Sequence, residues 1–366
     1  MTITAGDRTI DAARLTLRRG VDRLLRLQEP DGFWKGELET NVTIDAEDIF
    51  LRYHLGLPDA GERGRSAEWI RSRQRPDGTW ATFYGGPADL STTAEAYVAL
   101  RLAGDPPDAA HMRHAARFVH DTGGLEATRV FTRMWLSLLG LWSWDEVPLL
   151  PPEQILLPAR APLSVYSFGC WARQTIVALQ VVTALQPSTP VPFSVDELRT
   201  AITPPVPTDG WHRAFMLVDE ALHAYHRRPL GRLRRRALAV AERWILDRQE
   251  RDGSWGGIQP PWVWSIVALR GLGYGLDHPA LRRALAGLDR FTIDDENGRR
   301  IEACQSPVWD TALAMIALLD GGVAPDHPAI AAGAAWLEAR EIRVKGDWSV
   351  RIPDLAPGGF PFEFEN

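Results

Sequence analysis

Apolar residues in this chain recur in blocks with the three-to-four spacing of helices, and almost nothing alternates with period two. Thr92-Thr93-Ala94-Glu95 reads as a capping box, after which apolar residues continue through Leu102 and stop at Gly104 and Pro106. Ser306-Pro307 reads as an N-cap followed by proline at the first helical position. It leads into the apolar run Ala312 to Leu319, which ends at Gly321-Gly322. Gln259-Pro260-Pro261 opens Trp262 to Leu272 in the same way. The pattern predicts an all-α fold and argues against a sheet-based one.

Between these blocks a phrase repeats: an apolar or aromatic residue, a glutamine, a short polar run, then Gly-x-Trp. It runs from Leu25 through Gln28 to Gly32-Phe33-Trp34, and returns as Trp69, Gln74, Gly78-Thr79-Trp80 and as Trp244, Gln249, Gly253-Ser254-Trp255. A weaker fourth copy runs from Trp336 through Glu341 to Gly346-Asp347-Trp348. Trp34 and Trp80 are 46 residues apart, and Trp255 and Trp348 are 93 apart, close to twice that pitch. Such a pitch suits a pair of helices with its connections, and stacked pairs bury a continuous core or close into an α/α barrel. Gln28, Gln74 and Gln249 are expected to bond neighbouring helix ends, with Trp34, Trp80, Trp255 and Trp348 covering them. That is a structural role.

Composition sharpens the picture in one respect. Fifteen tryptophans against six tyrosines point to structural stacking, a carbohydrate surface, or a cavity that handles apolar or cationic groups. A net charge of −6 argues against a nucleic-acid partner. Two cysteines, Cys170 and Cys304, form neither a disulfide framework nor a metal-binding pair, so no metal site is expected. The first residues carry no signal-peptide core, and the longest apolar candidate, Ile176 to Leu185, is too short for a transmembrane helix.

Several segments are more specific than a generic helical repeat. They are Asn41-Val42-Thr43-Ile44-Asp45-Ala46-Glu47, Gly85-Gly86-Pro87, Arg129-Val130-Phe131-Thr132-Arg133-Met134-Trp135, and Phe168-Gly169-Cys170-Trp171-Ala172-Arg173. Then follow Trp255-Gly256-Gly257-Ile258-Gln259-Pro260-Pro261-Trp262, Ser306-Pro307-Val308-Trp309-Asp310-Thr311 and Gly358-Gly359-Phe360-Pro361-Phe362-Glu363-Phe364. In this order they resemble the N-terminal half of squalene–hopene cyclases, over essentially the whole chain from about Arg19, and the repeat resembles that family's Q-W motif.

The resemblance implies two α/α barrels (toroids) of helical hairpins, with a γ-type barrel inserted after the first helix of a β-type barrel. Residues 1–34 would begin the β-type barrel, 35–303 would form the γ-type barrel, and 304–366 would return into the first. It implies squalene or a similar polyprene as substrate, hopene and hopanol as products, and no cofactor or metal. The chemistry needs a strong Brønsted acid, electron-rich ring faces that stabilise cations, and a polar spot that accepts the last proton or delivers water. In the family the acid belongs to a D-x-D-D-T-A motif just beyond the Gly-Gly-Phe segment. The chain as given ends at Asn366, before it, so the expectation is that this polypeptide alone is inactive.

Carried over by residue, Trp171, Trp309 and Phe362 match cavity aromatics, with Ile258, Pro260 and Glu363 beside them. Trp264 stands where relatives can carry tyrosine. Glu47, Glu95, Arg129 and Gln259 match a polar cluster at the terminating end of the pocket, although the capping box would by itself explain Glu95. Asp310 matches a residue that supports the acid. Family members are monotopic, which implies a cytoplasmic membrane face, a substrate channel near Phe168 and Ile176, and a homodimer for the full-length enzyme. The basic run from His226 to Arg236 would meet anionic headgroups or simply be a solvated loop and helix start. Two alternatives stay open: a non-catalytic γ-type module that binds lipid or a partner, and a glycoside-processing α/α barrel with paired carboxylates. The missing Asp-x-Cys and His set disfavours a zinc prenyltransferase.

Overall fold

Proline and histidine set many of the helix starts. Asp277-His278-Pro279-Ala280 and Asp326-His327-Pro328-Ala329 each place proline in the first turn, where its missing N–H costs nothing. The preceding histidine caps through Nδ1, which accepts from the Ala280 N–H at 3.3 Å and from the Ala329 N–H at 3.1 Å. The structure, a computed structural model, describes residues 5–57, 60–200 and 210–362. Glu363, one of the residues singled out above, lies outside them.

The helices, in chain order, are α1 (Ala5–Arg26), α2 (Thr43–His54), α3 (Ala60–Ser72), α4 (Leu90–Ala103), α5 (Ala110–Asp121) and α6 (Val130–Leu138). They continue with α7 (Cys170–Leu185), α8 (Gly210–Arg227), α9 (Gly231–Asp247), α10 (Gln259–Gly271), α11 (Pro279–Arg290), α12 (Pro307–Asp320) and α13 (Pro328–Glu338). Among the described residues the chain is all-α apart from short 3-10 turns, one antiparallel hairpin, β1 (Thr292–Asp295) with β2 (Gly298–Ile301), and two isolated bridges, Ala81 with Ala88 and Ile342 with Gly359. It divides into two compact units: Met1–Leu38 with Cys304–Asn366, and Glu39–Ala303.

In the larger unit α2, α4, α7 and α10 are buried on most of their faces, whereas α3, α5, α9 and α11 bury one stripe each. The inner helices pack α2 on α4, α4 on α6, α7 on α10, and α10 back on α2; the outer ones lie against them. This is the α/α barrel arrangement, with one continuous apolar core. The smaller unit packs α1 and α13 on α12 around Trp34, Leu318 and Ile330.

The repeated phrase builds the same brace three times. Gln28 Nε2 donates to Gly32 O and Ala329 O, both at 2.8 Å. Gln74 donates to Gly78 O at 2.9 Å and His111 O at 3.1 Å, and Gln249 to Gly253 O at 3.0 Å and Ala280 O at 2.8 Å. Each amide thus closes its own loop and reaches the second residue of another helix, α13, α5 or α11. Each tryptophan indole donates ten residues back: Trp34 to Leu24 O, Trp80 to Ile70 O and Trp255 to Ile245 O, at 2.7–2.8 Å. The fourth copy departs from this. Trp348 sits half-buried on the 3-10 turn Asp347–Val350, and Glu341, a carboxylate that cannot donate, accepts from Arg343 instead.

Two sequence expectations need correction, and one element was not anticipated. The cap of α4 is Asp89, whose carboxylate accepts from Thr92 N at 2.7 Å; Glu95 therefore lies inside the helix and is not a capping-box residue. Ser306 occupies the cap position of α12 without capping, because its hydroxyl donates to Asp310 Oδ1 at 3.1 Å. The hairpin had no four-residue alternation to announce it. Its turn needs Gly298, which has φ +119 and lies where a Cβ would come within 2.9 Å of Arg65 O.

Candidate functional site

Glu47, Glu95, Arg129 and Gln259 come from four distant stretches of chain and meet inside the larger unit. Asn41 Oδ1 accepts from Thr43 N at 2.9 Å and starts α2, which turns Glu47 inward one turn later. The Asp89 cap sets α4 so that Glu95 faces the same interior. Arg129 precedes α6, and its backbone N–H donates to Ser91 Oγ at 2.9 Å, tying it to the start of α4. Gln259 is the first residue of α10, and its backbone N–H donates to Ala303 O at 2.8 Å.

Gln259 Nε2 donates to Glu47 Oε2 at 3.0 Å. Arg129 Nη2 donates to Glu95 Oε1 and Oε2 at 3.4 and 3.3 Å and to Thr43 Oγ1 at 3.4 Å. The Thr132 hydroxyl also donates to Glu95 Oε1. Both carboxyls are buried, while the Arg129 side chain is 44% exposed, so its charge is shared between the pocket and solvent. Gln259 Oε1 and Trp135 Nε1 are buried without a hydrogen-bond partner among the described residues. Trp135 lies tilted at 36° against Trp264 with centroids 4.5 Å apart, which gives Trp264 a packing role beneath the cluster.

Burial, reinforced by the negative charge of Glu95, lifts the Glu47 carboxyl from 4.5 to about 8. Burial raises Glu95 as well, but Arg129, Thr132 and Thr43 all oppose the rise. Asp45, also on α2, is lifted from 3.8 to about 7 by burial, against a backbone bond from Ile301 N at 2.9 Å. A carboxyl with a raised folded-state pKa binds more protons folded than unfolded, so its contribution is complete below the unfolded pKa and is lost as pH rises through the folded one. The larger unit is therefore expected to lose stability between about pH 4 and pH 8. Urea midpoints measured across that range should fall, and Glu47→Gln should flatten the slope. A wild-type midpoint that climbs over this interval contradicts the assignment.

The remaining residues lie nearer the surface. Trp171, in the first turn of α7, is 44% exposed and donates its indole N–H to Gly256 O at 2.7 Å, next to half-buried Ile258 and Pro260. Phe168 and Ile176 are also half-buried. In the smaller unit Trp309 is 61% exposed and meets Phe362 edge-on, with centroids 5.7 Å apart. Asp310 accepts from Gly36 N at 3.0 Å as well as from Ser306, so it ties the start of α12 to the segment after Trp34. Sequence reasoning missed Thr132 and Trp135 as members of the cluster. Their signal was helical spacing, three and six residues after Arg129 in a segment already singled out.

The family model for the squalene-hopene cyclase N-terminal domain matches residues 17–297, and that for the C-terminal domain matches residues 305–366. The chain is 44% identical over 359 residues to a squalene–hopene cyclase from Alicyclobacillus acidocaldarius, covering 96% of this chain and 56% of that protein. It is 35% identical over 365 residues to the squalene–hopene cyclase of Zymomonas mobilis, covering 96% and 55%. It is 36% identical over 342 residues to a dammaradiene synthase from Dryopteris crassirhizoma, covering 91% and 50%. The chain spans about half the length of the curated relatives it matches.

Proposed function

This chain belongs to the squalene–hopene cyclase family, and from that premise we propose that it serves the cyclisation of squalene or a similar polyprene by alkene protonation and a carbocation cascade. The observation that carries the reading is the buried Glu47–Gln259 and Glu95–Arg129 cluster, whose partners converge from α2, α4, α6 and α10. Such a cluster can orient a water molecule or take a proton at the end of a cascade. Trp171, Trp309 and Phe362, with Ile258, Pro260 and Glu363, are proposed to touch the polyene. The exposed rings of Trp171 and Trp309 suit cation stabilisation. Asp310 is proposed to support the acid through its fixed carboxylate. Phe168 and Ile176 are proposed to border the substrate channel, and a homodimer is proposed for the full-length enzyme.

A membrane surface is the proposed source of substrate, at its cytoplasmic face. Phe215, Leu217 and Val218 on α8 are 70%, 66% and 56% exposed, and the exposed Arg227, Arg228, Arg232, Arg235 and Arg236 follow them, while Arg234 is held by Glu153. No described helix is long and apolar enough to cross a membrane.

These 366 residues contain no D-x-D-D run. We therefore expect purified polypeptide 1–366 to form no hopene from squalene, and detection of hopene by gas chromatography overturns that expectation. The cyclase reading is tested by joining residues 1–366 to the remainder of the Alicyclobacillus acidocaldarius relative. Product is expected from that chimera, and a folded chimera without product counts against the reading.

A further inference from the structure

The two glutamates of the cluster are held by different kinds of partner. Glu95 receives a guanidinium from Arg129 and a hydroxyl from Thr132, whereas the hydrogen bond to Glu47 comes from the uncharged amide of Gln259. We propose that Thr132 is a positioning residue: together with Arg129 it holds Glu95 as the carboxylate, and so confines the proton shared by the pair to Glu47.

The geometry supports this from both sides. Thr132 is fully buried on α6, and a hydroxyl has a single proton to give, which it commits to Glu95 Oε1. A donated hydrogen bond and a nearby cation each favour the ionised form of a carboxyl. Two carboxyls that feel each other's charge in a buried site do not both ionise readily, so stabilising the anion on one leaves the proton on the other. Burial raises both carboxyls, and Arg129, Thr132 and Thr43 oppose the rise at Glu95.

The surrounding charges do not disturb the assignment. On α2, Asp48 is taken by Arg52 and Arg299, and Asp45 by Ile301 N. On α4, Tyr97 and Arg101 bond Glu197. On α6, Arg133 responds to Glu146, and on α10 Arg270 acts on His54. On β2, Arg300 pairs with Asp295. Among the described residues Arg129 is the cation left for the pair. On the cyclase reading, on which this meaning rests, Glu95 is the fixed anion available to a terminal cation, and Glu47 is a neutral hydrogen-bonding neighbour.

The test is a pH titration of protonated carboxyl groups, followed by difference infrared spectroscopy of the purified chain with carboxyl-labelled glutamate and no substrate present. A buried carboxyl signal is expected to persist at neutral pH and to disappear near pH 8. Glu47→Gln should remove it, and Glu95→Gln should not. Thr132→Val should move the titration midpoint of the pair upward by about 1 pH unit, a tenfold gain in proton affinity. Thr132→Ser, which keeps the hydroxyl, should titrate as wild type. A purely structural threonine predicts the opposite order, with valine tolerated and serine disturbed by its missing methyl. The proposal is overturned if the signal survives Glu47→Gln, or if natively folded Thr132→Val titrates as wild type. Should the valine variant fail to fold, the two glutamine variants and a serine variant that departs from wild type decide against it in the same way. Because no substrate is used, failure of the cyclase reading leaves the titration intact, and a failed titration leaves product formation by the chimera intact.

Discussion

Alanine in place of Asp48 is expected to destabilise the Glu39–Ala303 unit by about 3–5 kcal/mol. Asp48 is 3% exposed and accepts from Arg299 Nη1 at 2.7 Å; Arg299 is itself 3% exposed, on β2. Asp48 also accepts from Arg52 Nε at 2.9 and 3.1 Å, and Arg52 continues outward to Asp289 and Glu62. Removing the carboxylate strands the Arg299 guanidinium in the interior with Ser66 Oγ and Thr292 Oγ1 as its remaining hydrogen-bond partners. Arg52 can shift its weight to the surface carboxylates, so most of the loss is assigned to Arg299. Hydrogen exchange read on peptides of this unit during urea unfolding measures the change without mixing in the smaller unit. A double variant, Asp48→Leu with Arg299→Met, should recover much of the loss, because an apolar pair needs no compensation. A single-variant cost below about 1 kcal/mol would refute the claim that the pair is buried and interdependent.

Trp80→Ala should cost a similar amount, about 3–5 kcal/mol, by a different route. Trp80 is 1% exposed, its indole donates to Ile70 O at 2.8 Å, and its backbone N–H donates to Thr93 Oγ1 at 3.1 Å. Alanine leaves a cavity between α3 and α4 and takes the shorter of two donors from Ile70 O, which keeps the Arg73 N–H at 3.2 Å. Phenylalanine separates the two contributions: it fills most of the space but cannot donate, and should cost about 1–2 kcal/mol. The same exchange measurement distinguishes them, and equal costs for the two variants would mean that packing carries none of the role.

The helices and the brace were legible because both depend on residues close in sequence. The run from Ala312 to Leu319 and the proline starts at Pro260 and Pro307 needed only local spacing, and Gln74 with Trp80 bonds within its own loop and ten residues back. The capping of α4 was misread because Asp89 and Thr92 both offer oxygen acceptors, and only the backbone decides which one accepts. Asp48 and Arg299 are separated by 251 residues, and nothing in either neighbourhood announces the other. Gln259 and Glu47 are 212 apart and were singled out through family resemblance rather than through spacing. Thr132 stayed hidden because a threonine in a helix usually turns its hydroxyl back to its own backbone, and here a carboxylate on another helix competes for it.

The brace also bears on how such a chain can change length over evolution. Each glutamine uses carbonyls of its own loop and of one outer helix, and each indole uses a carbonyl of the helix just before it. In the larger unit, α3 to α5 and α9 to α11 are thus closed by bonds that make no demand on any other helical pair. A duplicated or deleted pair would carry its fastening with it, and its neighbours would need to adjust only their apolar faces. The repeat is in this sense a self-contained cassette, and the 175 residues from Trp80 to Trp255, which hold no further copy, are fastened by other means.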